Sequence, residues 1–250
     1  MTKTYHLTLK SSPAKNVVRE VCVSDDDLAD VIVDALTSQA AKPPSQTPEL
    51  TSPLQGNLSE FVVWDIGERY WAIFEQSMTW PANADSPWKA SSSDGVDIVA
   101  LQQDGENCGL LLIEVKSTNS AGAQLVTGGT SSLQSDFDKF FGGAVQDRLA
   151  ISVGRVLTSL RLVHRRPDLE HQVLQMIGTR PDSCPSVQVV GVLVCNRGTN
   201  DDAECRDRAF NRLHLHLVDA GWNPRQISFR TIETAEVTRL FGDIVRKATS

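Results

Sequence analysis

Three charged residues beside two apolar stretches have the types and the spacing for metal and phosphate chemistry. Asp97 begins the stretch DIVAL, and Glu114 and Lys116 close the stretch LLLIEVKST. Because residues i and i+2 of a strand lie on one face, Glu114 and Lys116 are expected to project the same way. In an antiparallel hairpin, the start of the first strand neighbours the end of the second. We therefore expect Asp97 to converge with Glu114 and Lys116.

Two convergent carboxylates would form a hard oxygen site suited to Mg²⁺ or Mn²⁺, with water in the remaining positions. Burying such charges at the end of a strand is costly unless they are paired or coordinate an ion. A lysine beside the ion can orient or deprotonate a water molecule, or stabilise charge that develops on a phosphate. Asp94 is an alternative first ligand, but we favour Asp97 because the apolar strand begins directly after it.

The elements that must position these residues can be predicted from the hydrophobic pattern. Residues 97–101 and 110–116 are predicted as paired strands, and the second is apolar on both faces, which is typical of a central, buried strand. The helical period predicts a helix over residues 58–74 and a long helix over residues 134–164. Residues 117–132 are rich in Gly, Ser and Thr and show no period, so we expect a mobile loop there.

Strands and helices also alternate through the rest of the chain. Further strands are predicted at residues 5–9, 17–23, 187–195 and 227–232, and further helices at residues 25–36, 205–220 and 235–247. This alternation indicates a layered α/β or α+β fold.

The pattern of Asp97 followed by Glu-x-Lys on the next strand resembles the core motif of the PD-(D/E)xK nuclease superfamily. The resemblance implies a restriction-endonuclease-like core, in which a central mixed sheet is flanked by helices, and a metal-dependent phosphodiesterase activity. Asp97, Glu114 and the carbonyl of Val115 would then bind Mg²⁺, and Lys116 would activate water. Glu60 in GNLSEFVVWDI matches the helical Glu of the family, which tunes the site or holds a second ion. Val96 departs from the pattern, since the family usually has proline there.

Residues 56–165 more narrowly resemble the nuclease subunit of Hachiman-type bacterial defence systems. The shared arrangement is a helix with an early Glu, a G-x-D strand, an E-x-K strand and a long helix. This resemblance implies DNA as substrate, a helicase partner, and an activity that is restrained until infection.

A Pro-rich stretch divides the sequence into three predicted parts. Residues 1–40 are expected to form a small N-terminal αβ segment, and residues 41–56 a linker that is rich in proline and small polar residues. Residues 57–250 would form the nuclease-like domain. No apolar run is long enough to span a bilayer and no signal sequence opens the chain, so we expect a cytoplasmic location.

The net charge of −7 argues mildly against a general nucleic-acid binder, but basic residues cluster in residues 139–180. On a continuous helix, Arg148, Arg155 and Arg166 would fall within about 20° of one another, beside the core stripe. We expect this face to contact the DNA backbone. The alternative is that these arginines pair with neighbouring acids.

Other interpretations of the same residues stay open at this stage. A Glu-x-Lys pair can be an ordinary surface ion pair, and Glu68 and Glu75 compete with Glu60 for the helical position. His214 and His216 could join Cys205 in a zinc site, although ordinary helix surface is the simpler interpretation. The alternative function is a non-catalytic binding or regulatory module that keeps the nuclease scaffold without cutting.

Overall fold

The described strands form one seven-stranded mixed sheet, as the α/β prediction requires. The computed structural model describes residues 4–12, 19–24, 29–30, 32–34, 48–70, 77–81, 88, 95–104, 107–141, 146–178 and 184–250. The strands are β1 (Thr4–Ser12), β2 (Arg19–Ser24), β3 (Ser77–Pro81), β4 (Ile98–Asp104), β5 (Asn107–Thr118), β6 (Val187–Asn196) and β7 (Ile227–Thr234). Their order is β2-β1-β7-β6-β5-β4-β3. β6 runs parallel to β5 and to β7, and the other neighbours are antiparallel.

Helices cover both faces of this sheet. They are α1 (Ser52–Tyr70), α2 (Gln124–Thr127), α3 (Leu133–Phe141), α4 (Gln146–Ser159), α5 (Pro167–Gly178), α6 (Asn200–Asp219) and α7 (Val237–Thr249). Residues 29–30 and 32–34 are also helical. A π-helical turn, Leu160–His164, follows α4, and a short 3-10 helix, Pro224–Gln226, precedes β7. Within the described part of the chain, no helix is long and apolar enough to cross a membrane.

The strands divide their side chains between two hydrophobic cores because successive residues point to opposite faces. Leu111, Ile113 and Val115 of β5 belong to the core that contains α1 and α7. Leu110 and Leu112 belong to the other core, which contains residues of α2 to α6. The prediction that β5 is central and apolar on both faces is therefore confirmed. By the same alternation, Glu114 and Lys116 continue the face that is covered by α2 to α6.

The prediction of one long helix over residues 134–164 is wrong at its C-terminal end, where a π-helical turn follows α4. Two helices, α3 and α4, flank residues 142–145, which lie outside the described residues and include two glycines. After α4 the π-helical turn changes the side-chain register, and Arg165 has a left-handed φ of 52°. Pro167 disfavours helical geometry at the residue before it. Val163, expected on the core stripe, is consequently 72% exposed.

Residues 117–132 do not form the structureless loop that the composition suggested. β5 continues to Thr118, and α2 lies within the segment with Val126 fully buried. Asn196 donates a hydrogen bond from Nδ2 to the carbonyl of Asn119 (2.6 Å), and its main-chain N–H donates to the carbonyl of Ser120 (3.2 Å). These long-range bonds fix the path of the chain directly after Lys116.

The N-terminal strands share the sheet and the core of the remaining chain. Lys10 lies opposite Thr231 in the antiparallel pairing of β1 with β7. Ala29 and Ile32 are fully buried in the core that contains α1 and α7. In addition, α1 begins at Ser52, so the last five residues of the predicted linker are helical. β3 and α5 were not predicted; β3 has only five residues, whereas the buried Leu169, Val173 and Met176 of α5 do follow the helical period.

Candidate active site

The β4–β5 pairing places Asp97 opposite Glu114. Ile98 faces Ile113 in the antiparallel register, so the preceding residue, Asp97, aligns with Glu114. The main-chain N–H of Asp97 donates to Glu114 Oε1 (3.4 Å), and the N–H of Val115 donates to Asp97 Oδ2 (2.7 Å). The expected convergence of the two carboxylates is thus found at the end of the hairpin. Asp94, the alternative first ligand, lies outside the described residues.

Lys116 lies on the same face and forms an ion pair with a residue that the sequence did not single out. Its Nζ contacts Oδ2 of Asp136, which stands in the first turn of α3. The other oxygen of Asp136, Oδ1, accepts from Lys139 Nζ at 2.8 Å. In the sequence, Asp136 is marked only by its position three residues before Lys139. Such a pair is common at the start of a helix and does not indicate a functional site.

Burial makes both carboxyl groups reluctant to ionise, and the charge of Asp97 adds to this effect at Glu114. Glu114 is 2% exposed. Burial, together with the nearby charge of Asp97, raises the pKa of Glu114 well above its ordinary value, even though Lys116 opposes the shift. Burial also raises the pKa of Asp97, against the lowering effect of Lys116 and of the hydrogen bond from Val115. A divalent cation held by Asp97 and Glu114 would stabilise their charged forms.

Lys116 stays charged despite its partial burial. Burial alone would lower the pKa of Lys116, but Asp97, Asp136 and Glu114 raise it above its ordinary value. The side chain therefore carries an ammonium group at neutral pH. An ammonium donates hydrogen bonds and cannot accept a proton, which favours a role in orienting water or contacting a phosphate.

The predicted helical acid, Glu60, is not brought to this pair. It is buried in α1, whose apolar residues pack on the other face of β5. Gln55 Nε2 donates to Ser117 Oγ (3.3 Å), so the start of α1 lies beside the end of β5. Within the described residues, no group of three or more His, Cys, Asp or Glu side chains is arranged to hold a metal ion. Of the competing acids, Glu75 lies outside the described residues.

The donor set at the hairpin nevertheless fits one hard cation. Mg²⁺ is commonly bound through one or two carboxylates and keeps several waters. Asp97 and Glu114 supply two carboxylates, and the carbonyl of Val115 is the further oxygen that the family resemblance implies. Such an ion would stabilise the charged forms of Asp97 and Glu114, which burial disfavours.

The three arginines predicted to contact DNA do not share one helical face. Arg155 is exposed on α4. Arg166 lies beyond the π-helical turn and forms an ion pair with Asp168, in which Nη2 to Oδ2 is 2.7 Å. The spacing rule required a continuous helix up to Pro167, and the left-handed Arg165 interrupts it. Arg148 belongs to α4, but its side chain is not among those that the structure describes. A contact of Arg148, Arg155 or Arg166 with DNA stays a prediction.

His216 of α6 takes part in a surface contact instead of a zinc site. His216 Nε2 lies 2.6 Å from Oδ1 of Asp138, a neighbour on α3. Cys205 is exposed at the other end of the same helix. The described residues place no metal-binding group around them.

Comparisons with known proteins assign neither a family nor a function to the chain. No protein-family model matches the chain, and neither the curated proteins nor the solved structures contain a match.

The raised carboxylate pKa values predict a measurable dependence of stability on pH. The native state holds a proton on Glu114 more tightly than the unfolded chain does, so the protein loses stability as pH rises through the native pKa. Glu114→Gln removes this loss. In EDTA, we expect the variant to melt at a higher temperature than the wild type at pH 8, with a smaller difference at pH 5.5. Adding Mg²⁺ should stabilise the wild type and not the variant. An equal difference at both pH values would contradict the raised pKa.

Proposed function

We propose that the chain is a metal-dependent nuclease of the PD-(D/E)xK class that hydrolyses DNA phosphodiester bonds. The observation that carries this proposal is the placement of Asp97 opposite Glu114 at the end of the β4–β5 hairpin, with Lys116 next along the same face. This is the arrangement that the motif resemblance implies, and it stands at the end of a central, buried strand.

Each side chain has a distinct part in the proposed reaction. Asp97, Glu114 and the Val115 carbonyl would hold Mg²⁺ or Mn²⁺, which when bound supplies positive charge for the phosphate and for the ionised carboxylates. Lys116 donates hydrogen bonds from its ammonium group, orienting a water molecule or stabilising charge on the phosphate oxygens. The main-chain N–H of Val115 fixes one oxygen of Asp97, which leaves its other oxygen for the cation.

The narrower proposal is a nuclease subunit of the Hachiman type, acting with a helicase partner in bacterial antiviral defence. The support is the order of motifs in residues 56–165 and the net charge of −7, which disfavours strong unaided binding to DNA. A DNA-translocating partner would deliver the substrate and control its access to the site, so that the chain alone stays restrained. We place this protein in the cytoplasm, where such a partner and its DNA meet.

A cleavage assay with and without metal tests the proposed chemistry. Purified chain is incubated with supercoiled plasmid, linear duplex, single-stranded DNA and single-stranded RNA, in Mg²⁺, Mn²⁺ or EDTA, and the products are resolved on gels. The expected result is cleavage of DNA that requires the divalent cation. Cleavage that persists in EDTA, or that is confined to RNA, would contradict the proposal.

A second arm of the same experiment tests an enzyme that stays inactive without its partner. The assay is repeated with ATP and a helicase partner of the kind that the proposal implies, because the partner is expected to release the restraint. If DNA stays intact in both arms, the non-catalytic binding module is the better account of the scaffold.

A further inference from the structure

Lys116 lies near the motif acids Asp97 and Glu114 and near Asp136, which is not part of the motif. Its ion pair is with Asp136. Asp97 and Glu114 both act on its charge, and Glu114 shares its face two residues away. Asp136 reaches Lys116 from α3. An ammonium on the carboxylate pair would occupy the place of a cation and repel it. The pairing with Asp136 therefore leaves the oxygens of Asp97 and Glu114 to a metal ion.

The position of Asp136 is fixed by its surroundings. Leu133 and Phe137 on the same side of α3 are buried in the core beneath the helix. The Ser132 hydroxyl accepts from the N–H of Ser135 (3.2 Å) and donates to the carbonyl of Gly129 (3.0 Å), which caps the first turn. Lys139 binds the second oxygen of Asp136 and so sets the orientation of its carboxylate. Asp136 itself is 8% exposed, which restricts its rotamers.

From this placement we infer that Asp136 is a positioning residue, which holds Lys116 aside so that Asp97 and Glu114 can bind a divalent cation. The inference rests on the proposed function, since it concerns the same site. Residues that orient a metal site from outside typically change affinity or activity by about 10- to 100-fold when they are replaced.

The test is a cycle of variants read by Mn²⁺ binding, measured by electron paramagnetic resonance on the full chain. Asp136→Asn is expected to weaken Mn²⁺ binding by about tenfold or more. The loss should be clearly smaller in the Lys116→Met background, where no ammonium competes with the ion. Asp136→Glu, which can still pair with Lys116, should restore most of the affinity. Asp138→Asn is the matched control, because Asp138 is on the same helix but contacts His216.

Several outcomes would overturn the inference. Equal losses in the two backgrounds would show that Asp136 acts only through its general negative charge. An affinity of Asp136→Asn equal to that of Asp138→Asn, or a wild type that binds no Mn²⁺, would also contradict it.

DNA cleavage separates this inference from the proposed function. An active wild type supports the nuclease, and Asp136→Asn should then lower kcat by about tenfold or more with little change in KM for DNA. If the wild type cleaves DNA neither alone nor with the helicase and ATP, the nuclease proposal fails, while the Mn²⁺ cycle still decides the role of Asp136.

Discussion

Asp97→Asn and Glu114→Gln are each expected to lower the rate of metal-dependent DNA cleavage at least about a thousandfold, which corresponds to about 4 kcal/mol of barrier. Each replacement keeps the shape of the side chain and removes one of the two charged oxygen ligands. Because burial disfavours the charged forms of both carboxyl groups in the absence of metal, neither change should destabilise the fold. The measurement is single-turnover cleavage of a labelled duplex in Mg²⁺, with a melting curve for each variant.

Glu204→Gln is a matched control for this experiment. Glu204 is exposed on α6 and forms a surface pair with Arg208, so its loss should leave the cleavage rate unchanged. If Asp97→Asn and Glu114→Gln both cleave DNA at the wild-type rate, the hairpin carboxylates take no part in the reaction. This result would contradict the nuclease assignment.

The second large effect is expected on stability, at a buried ion pair between α6 and β7. Arg206 of α6 is 3% exposed and pairs with the buried Glu233 of β7. Its Nη1 also donates to the carbonyl of Ala121 (3.1 Å), which lies five residues after Lys116. Arg206→Met leaves a buried carboxylate without its partner, which costs about 3–5 kcal/mol. For a chain of this length we expect the melting temperature to fall by about 10 °C.

Arg208→Met provides the comparison, since Arg208 is on the same helix and exposed. Its removal should cost less than about 1 kcal/mol. Adding Glu233→Gln to Arg206→Met should recover part of the lost stability, because the unpaired charge is then removed. If Arg206→Met and Arg208→Met melt at the same temperature, the buried pair does not stabilise the fold as described.

The geometry of the carboxylate pair could be predicted because it depends on local rules. Side chains alternate along a strand, and an antiparallel hairpin brings the start of one strand to the end of the next. These two rules were sufficient to place Asp97 beside Glu114 and to put Lys116 on their face. The apolar run before Glu114 was also sufficient to identify β5 as a central strand.

The partner of Lys116 could not be predicted in the same way. Asp136 reaches the site because Leu133 and Phe137 pack α3 against the sheet, and such packing is set by tertiary contacts. The order of the segment after β5 has the same origin, since the Asn196 and Arg206 side chains bind its carbonyl groups from distant elements. A composition rich in Gly and Ser describes only the local preference of the chain, and these contacts override it.

The break after α4 shows a limit of periodicity. Spacings of three and four residues continue through Leu160 to Val163, yet a π-helical turn shifts the register there and Val163 is exposed. A π-helical turn contains about one residue more than an α-helical turn. A hydrophobic pattern with spacings of three and four residues does not reveal this extra residue. The predicted alignment of Arg155 with Arg166 failed for this reason.

The most direct test of the site is a Mn²⁺ titration that compares the wild type with the double variant Asp97→Asn/Glu114→Gln. Electron paramagnetic resonance of free Mn²⁺ gives the number of ions bound per chain, independently of any substrate or partner. We expect the wild type to bind one ion and the double variant to lose it, with the fold retained in melting curves. Equal binding of Mn²⁺ by the two proteins would contradict a metal site at Asp97 and Glu114.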